Sequence, residues 1–118
     1  MLKMKIPYHL LCISFLLGIN SCQKLDVPKG TPLCIKKEIR KILKEDKRNP
    51  LAEVWEYKYE EQTVYYIPPY CCDIMNVLLD DQCNVICSPD GGFNGGGDGK
   101  CIDFSKNRTE GKLIWKDE

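Results

Sequence analysis

Between residues 31 and 48 the apolar positions Ile35, Ile39, Ile42 and Leu43 recur at spacings of three and four, with Lys36, Lys37, Arg40, Lys41, Lys44 and Lys47 on the other faces. That period predicts an amphipathic helix with one stripe turned to a core. Thr31 and Pro32 suit its start, because threonine accepts from free backbone amides and proline tolerates the first helical position. Asn49 and Pro50 stop it. A solvated outer face accounts for the lysines without an anionic partner.

The period then changes to two. Trp55, Tyr57 and Tyr59 alternate with Glu56 and Lys58 over residues 53–59, which predicts a half-buried strand. A polar turn at 60–62 leads to Thr63, Val64, Tyr65, Tyr66 and Ile67, a second strand that Pro68 and Pro69 end. Asp73 suits the cap of a short helix bearing Ile74, Val77 and Leu78 and closing at 80–82. Residues 84–87 read as a third strand, and 112–116 as a final one. The chain is therefore expected to be a single α+β domain, with an N-terminal amphipathic helix packed on a small antiparallel sheet and held by disulfides.

Ahead of this domain stand Lys3 and Lys5, a short apolar stretch over 10–17, and Leu16, Leu17, Gly18, Ile19, Asn20, Ser21 and Cys22. The stretch is too short to span a bilayer, which takes roughly 20 residues. A positive head, an apolar segment, small residues before the cut and a cysteine to carry lipid make a lipoprotein signal. An ordinary secretory signal would leave Cys22 as a disulfide cysteine, but Ile19 three positions before it and Ser21 directly before it favour lipidation. The expected organisation is a signal over 1–21, a lipidated tether over 22–30 and a folded domain over 31–118. Two or three acyl chains would hold it durably to the cell envelope, with the outer membrane as the expected place.

Without the signal, 97 residues remain, with 15 basic against 17 acidic. That is one small domain with a limited core, and its charge does not suggest nucleic acid. Of eight cysteines, Cys12 leaves with the signal and Cys22 carries lipid. Cys34, Cys71, Cys72, Cys83, Cys87 and Cys101 form an even set, which reads as a disulfide framework in an oxidising compartment. Zinc is disfavoured, because there is no Cys-x-x-Cys pair and the only histidine, His9, lies in the signal. Six cysteines permit 15 pairings. The expected set joins Cys87 to Cys101 around the intervening glycines, and sends Cys34 and Cys83 to one each of the adjacent Cys71 and Cys72.

The oddest stretch is 90–100, with glycines at 91, 92, 95, 96, 97 and 99. A phosphate-cradling loop is excluded by Asn94, which stands where the Walker pattern needs glycine, and by Cys101, where it needs Ser or Thr. Asp90, Asn94 and Asp98, joined by Asp103, are hard oxygen donors and the candidate set for calcium, although their spacing is not that of an EF-hand. The plainer reading is a rigid, disulfide-closed surface loop. Without histidine after residue 21, a Ser-His or Cys-His nucleophile is excluded. Glu60 with Glu61, Asp80 with Asp81, and the thiols of Cys71 and Cys72 are what a hydrolase or thiol-redox enzyme would have to use. The favoured alternative is a non-enzymatic module that binds or inhibits a protein, or binds a glycan, through Tyr65, Tyr66 and Phe93.

Cys71-Cys72-Asp73, the run from Val85 to Gly92, the run from Gly97 to Phe104 and the closing Ile114-Trp115-Lys116-Asp117 together resemble a family of small Bacteroidetes-type lipoproteins, a domain of unknown function. The resemblance covers residues 34–117 and departs at Ile102, where proline is expected, and in the extra glycines. It implies export, lipidation and a disulfide-held domain, and supplies no catalytic residues.

Overall fold

A computed structural model of the protein describes residues 24–68 and 73–118. The signal, Cys22 and the adjacent Cys71 and Cys72 lie outside the described residues. The elements among these residues are α1 (Leu33–Leu43), β1 (Glu53–Tyr59), β2 (Gln62–Ile67), β3 (Val77–Leu79), β4 (Val85–Cys87), α2 (Phe104–Asn107) and β5 (Thr109–Lys116). All five strands form one sheet in the order β4-β3-β2-β1-β5, and every pairing is antiparallel.

Helix α1 buries Ile35, Ile39 and Ile42 on one face of the sheet, against Val54, Tyr65, Leu79 and Ile114. Each such side chain contributes roughly 1.5–3 kcal/mol by leaving water. The helix stops at Leu43, short of Arg48, because the next positions on the buried face are Glu45 and Asp46, charged groups that stay at the surface instead of entering the apolar core. Thr31 does not cap it. Its hydroxyl and amide both donate to the Pro28 carbonyl, closing a turn through Gly30 (φ 90°), and Pro32 is the capping position. Leu25 and Val27 also pack on the helix-side core, so the folded part reaches back into the expected tether.

The opposite face of the sheet is covered too. Tyr57, Tyr59, Val64, Tyr66, Leu78 and Cys87 meet Phe104 and Cys101 there. The central strands are thus buried on both faces: Val54 and Val64 are fully inaccessible although the chain alternates between them. The helix expected after Asp73 is instead β3. Its residues pair with Tyr65, Tyr66 and Ile67 of β2, and Asp80 closes the turn into β4 by accepting from the amides of Gln82 and Asn84. Three residues buried on alternate sides cannot form a helix turn.

The edge strand β5 is irregular. Val54 faces Trp115 while Trp55 faces Leu113, so Ile114 is an extra residue, and this bulge puts both Ile114 and Trp115 into the helix-side core. Further along, Glu110 has φ 54° and Gly111 lies under the Tyr57 ring, where a Cβ would come within 2.6 Å of the ring edge. Bulges, Lys112 and Lys116 keep this long edge from templating another strand.

Among the described residues, two disulfides fasten the layers. Cys87 bonds Cys101, with Cα atoms 6.2 Å apart. Cys34 bonds Cys83, with Cα atoms 6.0 Å apart, in place of the expected bonds from each of them to Cys71 or Cys72. The start of α1 lies over the β3–β4 turn, where Cys83 takes a left-handed conformation (φ 63°) and presents its sulfur to the helix.

Candidate binding surface

The hairpin tyrosines are not displayed to solvent. Tyr65 is 3% exposed on the helix side, its hydroxyl donating to Glu56 at 3.3 Å. Burial and the Glu56 carboxylate push it up to about 12. Tyr66 is on the other face, so the two do not form one platform. Its hydroxyl donates to the Asp90 carboxylate at 2.9 Å and accepts from the Asn76 amide, which also donates to Asp90. Burial, then Asp90, raise the Tyr66 phenol well above its ordinary value.

An aromatic platform does exist, and the chain itself fills it. Phe104 of α2 is 1% exposed, with its ring edge-on to Tyr57 (5.5 Å) and Tyr59 (5.2 Å) and tilted on Tyr66 (5.7 Å). The Arg108 guanidinium lies 4.5 Å over the Tyr57 ring. The Tyr59 hydroxyl donates to Asp103 at 2.6 Å, which, with burial, raises the phenol and holds the Asp103 carboxyl below its ordinary range.

The candidate calcium donors serve the loop's own turns. Asp98 accepts from the amides of Ser88 (3.0 Å) and Lys100 (3.0 Å), which lowers its pKa. Asn94 accepts from the Gly96 amide (3.0 Å), and Asp90 is engaged by Tyr66 and Asn76. Asp103 is held by Tyr59 and Asn107. Among the described residues no three carboxylate, thiolate or imidazole side chains converge as metal ligands would. Backbone hydrogen bonds link Gly91 to Gly95, Gly97 to Gly91 and Asp98 to Ser88, so the stretch is a compact, internally bonded loop. Gly97 is required there: φ is 67°, and a Cβ would fall 2.0 Å from the Ser88 carbonyl oxygen. At the tip, between Gly92 and Gly95, Phe93 is 94% exposed.

The carboxylate pairs are also structural in their placement. Glu60 and Glu61 are the two central residues of the β1–β2 turn, and Asp80 holds the β3–β4 turn while Asp81 is exposed beside it.

At the β3–β4 end of the molecule, the last turns of α1 and these strands flank an open groove of about 700 Å³. Ile42, Ile67, Val77 and Leu79 floor it, and Ile74, Met75 and Val85 wall it while remaining 50%, 41% and 65% exposed. Its rim carries charges that pair locally: Lys41 with Glu38 at 3.2 Å and Arg48 with Glu45 at 3.0 Å. The glycine loop borders this groove, since Gly91 bridges to Met75 and the Met75 side chain lies against Gly92. Phe93 thus follows directly on Gly92, the glycine against which the groove wall Met75 lies. Ile74, Met75 and Val85 were not singled out from the sequence as binding residues; the adjacent apolar pair at 74–75, out of step with strand alternation, was the available signal.

Residues 40–117 match the family described as a domain of unknown function, DUF6970. The chain belongs to that family. No curated protein and no solved structure matches it significantly. The DUF6970 segment starts within α1 and takes in the whole sheet, the groove walls, the glycine loop and the Cys87–Cys101 bond. Cys34 precedes it, so the second disulfide ties the family segment to the helix start. No helix among the described residues is long and apolar enough to cross a membrane.

Proposed function

We propose that this DUF6970 protein is a lipid-anchored, non-enzymatic module of the cell envelope that captures an apolar segment of a partner protein. The observation that carries the binding half is the groove walled by Ile74, Met75 and Val85 and bordered by the Phe93 loop. Exposed large apolar side chains gathered in one concave patch are characteristic of interaction sites, whereas singly scattered ones are not. A protein segment suits it better than a glycan, because the groove walls Ile74, Met75 and Val85 are aliphatic and the tyrosine platform is filled by Phe104. The anchoring half is supported by the residues up to Cys22, whose thiol would carry the diacylglycerol.

The test is chemical crosslinking of the native envelope followed by purification of the protein. Met75→Asp and Val85→Asp, both at exposed positions, are expected to remove the specific crosslinked species while leaving the circular dichroism spectrum unchanged; Lys58→Asp, on β1, is expected to keep them. The same crosslinked species at undiminished yield in both groove variants would overturn the assignment.

A further inference from the structure

The segment from Leu25 to Thr31 is docked, not free. Leu25 and Val27 pack on the helix-side core, and residues 28–31 close a turn into α1. From Cys22 to Lys24 there are two residues, which reach about 7 Å at full extension. Any lipid on Cys22 therefore keeps the surface around Lys24 within that distance of the headgroups.

That surface is a second groove, of about 610 Å³, lined by Lys24, Leu25, Leu43, Lys47, Leu113 and Lys116 among others. Leu43 is 45% and Leu113 41% exposed, so two leucines stand open beside the point where the chain enters. Its charges are nearly balanced: Asp26, Asp117 and Glu118 also line it, Lys47 donates to the Glu118 carbonyl, and Lys116 pairs with Glu53 at 3.5 Å. Partly exposed leucines among lysines and carboxylates match an interface of apolar chain and charged headgroup better than they match bulk water.

Resting on the reading of Cys22 as the anchor, we infer that the β5 edge and the end of α1 lie flat on the phospholipid surface, with Leu43 and Leu113 at headgroup depth. The strand order gives the consequence. β5 is at one edge of the sheet and β3–β4 at the other, so Ile74, Met75 and Val85, the groove walls on the far side from β5, stand away from the bilayer, while the end of α1 borders both grooves. The anchor then sets orientation as well as address.

The experiment uses the full chain, processed in its native membrane and reconstituted in vesicles of phosphatidylethanolamine and phosphatidylglycerol. A benzophenone amino acid replaces Leu43, Leu113 or Val85 in turn; after irradiation, intact mass reads both acylation of Cys22 and any lipid adduct. The expected result is an acylated chain with lipid adducts from positions 43 and 113 and none above the dark control from 85. An acylated chain that labels equally at all three positions, or at 85 alone, or at none, overturns the orientation and leaves the anchor standing. A chain without acyl mass overturns both.

Discussion

At the scale of single residues, the least expected choice is the pair Glu60 and Glu61 at the centre of the β1–β2 turn, with φ of 50° and 63°. Tyr59 pairs with Gln62 across them, so this is a two-residue turn of the type that favours Asn-Gly. A side chain in the left-handed region costs roughly 1–2 kcal/mol relative to glycine, and here the cost is offset by the flanking strands, which are buried on both faces. Glu61→Gly is therefore expected to raise stability by about 1 kcal/mol, read as a higher urea midpoint with an unchanged slope. Glu61 is the better site for this test, because Glu60 also influences the neighbouring Tyr59 phenol. Cys83 carries the same kind of strain at φ 63°, but its disulfide fixes it in place. The polar turn at 60–62 was legible in the sequence, but its left-handed backbone was not, since glutamate and cysteine do not announce a positive φ as glycine or asparagine would.

At the scale of elements, what could be read from the sequence depended on how local each element's reason was. The period of Ile35, Ile39 and Ile42 and the alternation through Trp55, Tyr57 and Tyr59 are local, and α1, β1 and β2 appear where those patterns lie. β3 is not local: Val77, Leu78 and Leu79 fit a short helix until β2 on one side and β4 on the other supply ladder partners. The same distinction separates the disulfides. Cys87 and Cys101 are 14 residues apart around a turn-forming stretch, whereas Cys34 and Cys83 are 49 apart and meet only because α1 crosses the sheet to the β3–β4 turn. The candidate surface followed suit, with Tyr65 and Tyr66 consumed by the two cores and exposed apolar surface found at Met75 and Val85, which only the assembled sheet brings together. Loop length also sets an energetic order. In the chain-entropy model the longer closure is worth about 4 kcal/mol and the shorter about 3 kcal/mol. Cys34→Ser with Cys83→Ser is expected to lower the unfolding free energy more than Cys87→Ser with Cys101→Ser, measured in urea without reductant.

For the whole molecule, the partnered carboxylates and the buried phenols respond to opposite ends of the pH scale. Asp80, Asp98 and Asp103 are held below the ordinary carboxylate value, the first two chiefly by backbone amides of their own turns and the third chiefly by the Tyr59 hydroxyl. A lowered native pKa means that the folded state prefers the charged form. Their contribution is complete above about pH 4, the unfolded carboxylate value, and is lost as pH falls through the lower native values. The tyrosines reverse the sign. Tyr65 is raised to about 12, and Tyr59 and Tyr66 are raised also, so the folded state prefers the neutral phenol. That contribution is complete below pH 10 or so, where unfolded tyrosine ionises, and is lost as pH climbs towards the native values. Thermal melts across pH are therefore expected to show a plateau through neutrality with a fall on each side. On the alkaline side, phenolate absorbance from Tyr59, Tyr65 and Tyr66 should appear together with unfolding. Tyr66→Phe separates the two limbs, because it removes one raised phenol while leaving all three lowered carboxylates with their own partners. The variant should fall less steeply above pH 10 and keep the acid limb of the parent; a change confined to the acid limb would show that the Tyr66–Asp90 contact does not tie β2 to the glycine loop in the way the structure places it.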